Sequence, residues 1–365
     1  MIENVILENF KCFKHIEVEL SNLNIFAGIN GMGKSTVIQS LLLLRQTYEL
    51  NAMESGLFLN GKYVQIGTGK DLLYKNSDAD FVSIQLKTDK GELKFKYSYD
   101  EISDFQKAFD GPFHFTESQR NINLFSPTFS YVSADRIGPQ RFYESSYHEI
   151  FDNNNVGSNG EFFADYLARR GNIDKASNKN VMHKNENSEL LLNQTNAWLS
   201  EISPDMQISV EEDQKTGVVS LSFSKESYSP KNVGFGLSYL APIIVSLLKA
   251  KNGDLVIIEN PEAHIHPKGQ RIMGELLAKT AAGGVQVIVE THSDHILNGL
   301  RLSVKQNVIK RNMTRLNFFY REKTNNVVFP YEYKKMSPAI LDNGELSDWP
   351  DGFFDEWDKT LMELL

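Results

Sequence analysis

Gly28-Ile29-Asn30-Gly31-Met32-Gly33-Lys34-Ser35-Thr36 fits the pattern G-x-x-x-x-G-K-[ST] at every position. Its flanks agree with it. Leu23 to Ala27 reads as a short buried strand, and Val37 to Gln46, with the run Leu41-Leu42-Leu43-Leu44, reads as a helix packed against a sheet. The residue types follow from the chemistry of holding a polyphosphate. Glycines let successive backbone N–H groups point inward, and the start of a helix adds the positive end of its dipole. In such a loop Asn30, Gly31, Gly33 and Thr36 would line the phosphates, Lys34 would reach the β- and γ-phosphates, and the Ser35 hydroxyl would ligate Mg²⁺.

The 365 residues admit one large domain or two, and the composition is that of an ordinary globular chain. A net charge of −9 argues against a uniformly basic nucleic-acid coat while permitting a local patch. Cys12 is the single cysteine, so no intrachain disulfide can form, and it reads as a small apolar residue beside a strand. Neither a secretion signal nor a membrane-spanning run is apparent: the longest apolar stretch, Leu240 to Leu248, contains Pro242 and Ser246 and is too short. The expectation is a cytoplasmic protein with no membrane partner.

Ahead of the loop, Val5 to Leu7 and Ile16 to Leu20 read as strands joined by Asn9-Phe10-Lys11-Cys12-Phe13, whose aromatics would plug a sheet edge. Gly61 to Gly69 reads as a short strand running into a glycine-rich turn. Residues 81–98 alternate polar and apolar around Asp89-Lys90-Gly91, a hairpin signal. Tyr131-Val132-Ser133 reads as a strand. The polar run from Asn172 to Asn187 suggests mobile loops between helical stretches at Gly160 to Arg170 and Glu189 to Ile202, and a second hairpin joins 207–210 to 218–223.

Leu255-Val256-Ile257-Ile258-Glu259 reads as a buried strand delivering a carboxylate to its C-terminal tip, where parallel α/β sheets place their ligands. Asn260-Pro261-Glu262 and His264-Ile265-His266-Pro267 follow. Val285 to Val289 is a second buried strand, ending in Glu290-Thr291-His292-Ser293-Asp294.

Together these segments resemble the ATP-binding-cassette heads of the SMC/RecF-like and OLD-like ATPases over nearly the whole chain. In that family a strand ending Asp-Glu-Pro-Glu precedes a His-x-His-Pro segment, which Glu259 to Glu262 and His264 to Pro267 match closely; Thr291-His292-Ser293 resembles the switch-histidine segment. The resemblance implies an α/β fold with a mixed central sheet, an antiparallel β subdomain and a helical insertion. It divides the chain into residues 1–145 and 231–325 as two parts of the head, 146–230 as the insertion and 326–365 as a small C-terminal domain. The segment from Gly344 to Asp355 resembles a C-terminal domain of unknown function on prokaryotic members, and the reading preferred for it is a non-functional one, a Trp/Phe plug closing the core.

The implied cofactors are ATP and Mg²⁺. Glu259 and Ser35 would hold the metal, Gln65 falls at a Q-loop position although a polar strand-end residue is the preferred explanation, and His292 would contact the γ-phosphate. Asn260 stands where the family has a glutamate, and its amide cannot accept a proton from attacking water. Either Glu262 takes that role or hydrolysis is slow. Asn232 to Ser238 resembles the signature loop loosely, so that Gly236 and Ser238 would face the ATP of a second protomer, the alternative being a plain helix cap by Ser238. Arg136 and Arg141 would face nucleotide, partner or solvent. The implied assembly is a homodimer sandwiching two ATPs that switches a separate effector protein, possibly a nuclease, in antiphage defence. Two alternatives are a DNA-binding clamp, with Phe318, Phe319 and Tyr320 stacking on bases within the basic run 301–323, a pattern that a solvated helix and a core strand explain at least as well, and an ATP-bound scaffold.

Overall fold

The computed structural model describes the backbone except at residues 214, 216, 225–227, 233, 234, 326–329, 355 and 365, and the side chains except at those positions, 235 and 356–359. Its strands in chain order are β1 (Ile2–Phe10), β2 (Phe13–Glu19), β3 (Leu23–Gly28), β4 (Gly56–Phe58), β5 (Phe81–Thr88), β6 (Gly91–Ser98), β7 (Phe105–Lys107), β8 (Ser130–Val132), β9 (Ile208–Asp213), β10 (Val218–Phe223), β11 (Leu255–Glu259), β12 (Gln286–Glu290), β13 (Thr314–Lys323) and β14 (Tyr331–Met336). The longer helices are α1 (Lys34–Glu49), α2 (Phe163–Arg170), α3 (Leu191–Ile202), α4 (Phe235–Lys249), α5 (Pro267–Ala282), α6 (Asp294–Lys305) and α7 (Glu356–Leu364).

The central sheet has the order β14-β13-β3-β12-β11-β8. Its other five strands, β13 to β8, run parallel and β14 closes one edge antiparallel, so the sheet is mixed, as the α/β expectation requires. Apolar residues alternate between two cores. Leu23, Ile25 and Ala27 of β3, Val256 and Ile258 of β11, and Val287 and Val289 of β12 face one core. Phe26, Leu255, Ile257 and Ile288 face the other. Strands covered on both faces have no polar side to show, which is why they read as unbroken apolar runs. α1 lies in the second core with Leu41 to Leu44 all fully buried, each such side chain stabilising the fold by about 1.5–3 kcal/mol.

A second, antiparallel sheet, β2-β1-β5-β6, packs onto that same core. The 81–98 hairpin and the 208–223 hairpin form as their alternation predicts. Two local readings are corrected. Gly61 to Gly69 forms no strand, only an isolated bridge between Asn60 and Gln65, because Gln46 of α1 captures the segment through Phe58 O at 3.0 Å and Val64 N at 3.1 Å. The asparagine-rich stretch is tied down by hydrogen bonds: Asn178 Oδ1 caps the turn at 179–181, and Trp198 Nε1 donates to Val181 O at 2.8 Å.

Within the basic run 301–323 two of the three aromatics are closed off from any nucleic acid, and Tyr320 is half-buried, stacked on Phe318. Phe318 and Phe319 are buried, packed against Phe353 and Phe26, because β13 is an inner strand with a core on either face. Arg301 donates to Gly344 O at 2.7 Å and lies over Trp349. That contact, with Phe353 buried against Phe318, seats the 349–354 segment on the head in the manner of a plug. Among the described residues no helix is long and apolar enough to cross a membrane.

Candidate nucleotide site

β3 ends at Gly28, and the chain turns through 29–33 into α1. Gly28 has φ 138°, and a Cβ there would fall 2.2 Å from Phe319 O of the adjacent β13, so no other residue fits. Gly33 has φ 100° and rests on the Phe13 ring, whose Cζ lies 2.3 Å from where a Cβ would stand. The aromatic turn between β1 and β2 thus supports the underside of the loop as well as closing a sheet edge. Lys34 is 3% exposed; its Nζ donates to Gly28 O at 2.8 Å and to Ile29 O at 3.1 Å, and lies 3.8 Å from Glu290 Oε1. Burial holds its pKa below the usual lysine value, opposed by the charges of Glu290 and Glu262.

The acids come from two neighbouring parallel strands paired so that Glu259 stands beside Glu290. Glu290 Oε1 accepts from Ser35 Oγ at 3.0 Å, while Oε2 is buried and has no hydrogen-bond partner. Burial, then the neighbouring Glu259 carboxylate, raise the Glu290 pKa to about 7 against the pull of Lys34. Glu259 is also raised by burial, although Ala134 N donates to its Oε2 at 3.2 Å and Tyr131 and Arg136 favour its charged form. Sequence reading assigned the metal to Glu259 and passed over Glu290. Its signal was a second acid at the tip of a second apolar strand, which gains meaning only once the two strands are neighbours.

Arg136 faces neither solvent nor a ligand pocket. It is buried, and its guanidinium donates to Ser133 O and Glu259 O, each at 2.7 Å, and to Asn260 O at 2.8 Å, so it fixes the tip of β11. Asn260 turns there in the left-handed region, φ 45°, with its N–H donating to Glu290 O at 2.8 Å. Both oxygens of Glu262 are engaged, by Thr291 Oγ1 and by the His292 N–H, each at 2.7 Å. Glu262 thereby anchors the segment that presents His292, a partly exposed residue held below the ordinary histidine pKa by partial burial and then by Lys34, against the pull of Glu262.

Three expected residues stand apart from this cluster. Gln65 is exposed in its bridge to Asn60 and does not line the cavity at the loop. Ser238 is the fourth residue of α4 and 1% exposed, so its hydroxyl neither caps the helix nor reaches the surface in this protomer. Gly236 backs onto the His264 carbonyl, 2.3 Å from the position of a Cβ. Val233 and Gly234 of the same segment lie outside the described residues.

A cavity of about 700 Å³ opens at the loop, lined by Asn30, Gly31, Gly33, Lys34, Ser35 and Thr36 on one side and reaching Lys11, Tyr74 and Tyr331 on another. A family model described as "AAA domain, putative AbiEii toxin, Type IV TA system" matches residues 23–298. The chain belongs to that AAA-domain family. A second model, "Protein of unknown function (DUF3696)", matches residues 309–364 of the AAA protein. No curated protein matches it significantly in sequence. Among solved structures, an Smc head bound to the C-winged helix domain of ScpA aligns with 92% of this chain and 97% of its own, at TM-score 0.55 and 14% identity. An Smc head domain with an extended coiled coil, bound to the C-terminal domain of ScpA derived from Pyrococcus furiosus, aligns over 100% and 99%, at TM-score 0.53 and 11% identity. At such identities the likeness is one of fold.

Among the described residues of the AAA protein no three His, Cys, Asp or Glu side chains gather as a ready metal cage. Magnesium needs none, since it keeps several waters and takes one or two protein ligands beside substrate phosphates. The unpartnered Oε2 of Glu290 next to the Ser35 hydroxyl fits that demand.

Proposed function

We propose that this chain is an ATPase that takes ATP with Mg²⁺ between the 28–36 loop and the tips of β11 and β12, hydrolyses it slowly, and works as a dimeric switch for a separate effector protein. The observation that carries this reading is the meeting of Lys34 and Ser35, at the start of α1, with Glu290 at one end of the cavity, and with Glu259 beside Glu290 on the neighbouring parallel strand. The start of α1 and the Lys34 ammonium offset phosphate charge, and Ser35, Glu290 and Glu259 would hold the metal. Bound there, Mg²⁺ supplies charge neutralisation at the phosphates. His292, steadied through Glu262, would sense the γ-phosphate. Hydrolysis is slow because Asn260 offers no proton acceptor and Glu262 spends both oxygens on the switch segment.

Dimerisation is the assembly that the resemblance to SMC-type heads implies, and Ile29, 64% exposed at the loop, is an apolar residue that such an interface would cover. A partner-driven role is supported by the solved Smc heads, which are bound to ScpA, and a defence role by the toxin–antitoxin wording of the family description. Light scattering with and without ATP and Mg²⁺, on the native chain and on Lys34→Ala, tests the reading. The native chain is expected to dimerise with nucleotide and Lys34→Ala is not; a native monomer indifferent to nucleotide would sink it.

A further inference from the structure

The phosphate loop forms only one end of the cavity. Away from Lys34 and Ser35 the lining changes character: Tyr331 and Tyr333 come from β14, Tyr74 and Asn76 from the segment after residue 72, and Lys11 and Cys12 from the turn between β1 and β2. Tyr333 packs edge-on against Phe13, the ring that also supports Gly33, so the aromatic wall and the loop rest on one shared side chain. The Arg321 guanidinium lies 4.2 Å from the centre of the Tyr331 ring. Lys11 Nζ donates to Gln39 Oε1 at 2.7 Å and Asn76 Nδ2 to the Tyr74 hydroxyl at 3.2 Å, which places amide groups at the rim of this wall. Phosphates have no use for half-buried aromatic rings. A planar heterocycle does, because rings stack on its faces while amides meet its edge.

We propose that this wall is the nucleobase end of the site, with Tyr331 as its stacking platform. The segment matching a domain of unknown function therefore has a task in this protein: its edge strand β14 completes the nucleotide pocket of the head. The proposal rests on the nucleotide reading above and deepens it.

The experiment is calorimetric titration of the full chain with ATP and, separately, with inorganic tripolyphosphate, on the native protein, Tyr331→Ala and Tyr331→Phe. Stacking of a base on an aromatic side chain is lost on alanine substitution at about 1–3 kcal/mol, so Tyr331→Ala should bind ATP roughly 5- to 150-fold more weakly. Its affinity for tripolyphosphate should be unchanged, which also shows that the variant is folded, and Tyr331→Phe should retain native ATP affinity. Unchanged ATP binding by Tyr331→Ala, or an equal loss for both ligands, overturns the base platform while leaving the nucleotide reading standing. A native chain that binds neither ligand overturns both.

Discussion

Glu290, at the tip of β12, accepts a hydrogen bond from Ser35 at the start of α1 at 3.0 Å, and its second oxygen is buried without a partner. An unpaired buried carboxylate oxygen is costly unless a cation or proton meets it. Glu290→Gln should keep the fold, since the amide oxygen can still accept from Ser35. It should weaken binding of ATP in the presence of Mg²⁺ by about 10- to 100-fold, the range for residues that support a metal. Calorimetry with Mg²⁺ and with EDTA checks this, and an equal effect in both would deny Glu290 a role at the metal.

Asn260 holds the position where a proton acceptor is expected, and it sits at φ 45°. Asparagine and aspartate tolerate that region better than glutamate does. Asn260→Asp and Asn260→Glu should both raise phosphate release, by about tenfold or more for whichever places its carboxylate well. Turnover equal to native in both would mean that this position takes no part in hydrolysis.

Arg136 bonds three carbonyls at the end of β11. Arg136→Met would leave them buried and unpaired, at an expected cost of about 3 kcal/mol. Urea unfolding should show that loss, and ATP affinity should fall with it, because Glu259 is carried on the same strand tip. A variant as stable as native would contradict the role given to this side chain.

Lys249, the last residue of α4, is 5% exposed and its Nζ donates to Asn154 O at 2.5 Å. Burial lowers its pKa to about 8, with Asp254 opposing and Arg170 and Lys251 reinforcing. Between that value and the ordinary lysine value the unfolded chain holds a proton that the folded chain lacks, so raising the pH favours the folded state there. Relative to Lys249→Met, which has no such group, native stability should climb from pH 8 towards pH 10 by at most about 1.4 kcal/mol per unit. Denaturation curves with a pH-independent difference would refute it.

The parts of this site that were legible in the sequence are those whose chemistry is local. The loop 28–36 declares itself because glycines, lysine and serine act within one turn, and β3, β11 and β12 because strands covered on both faces are dominated by apolar residues. The pairing of Glu259 with Glu290 was not legible, since it depends on which strands become neighbours. Gln65 misled because its spacing resembles a Q-loop while α1 draws its segment elsewhere. Phe318 and Phe319 admitted two readings in the sequence, a base-stacking surface and a core strand beside a solvated helix, and the sheet order decides for the core strand.

Ile29 and His292 share a small cavity with Phe353 and Phe354, so residues more than 300 positions apart in the chain stand side by side at the loop. During synthesis, then, the phosphate loop leaves the ribosome more than 300 residues ahead of Phe353 and Phe354. A nascent chain can complete this wall only after residue 354 has emerged, which sets the order in which folding and ligand capture can occur.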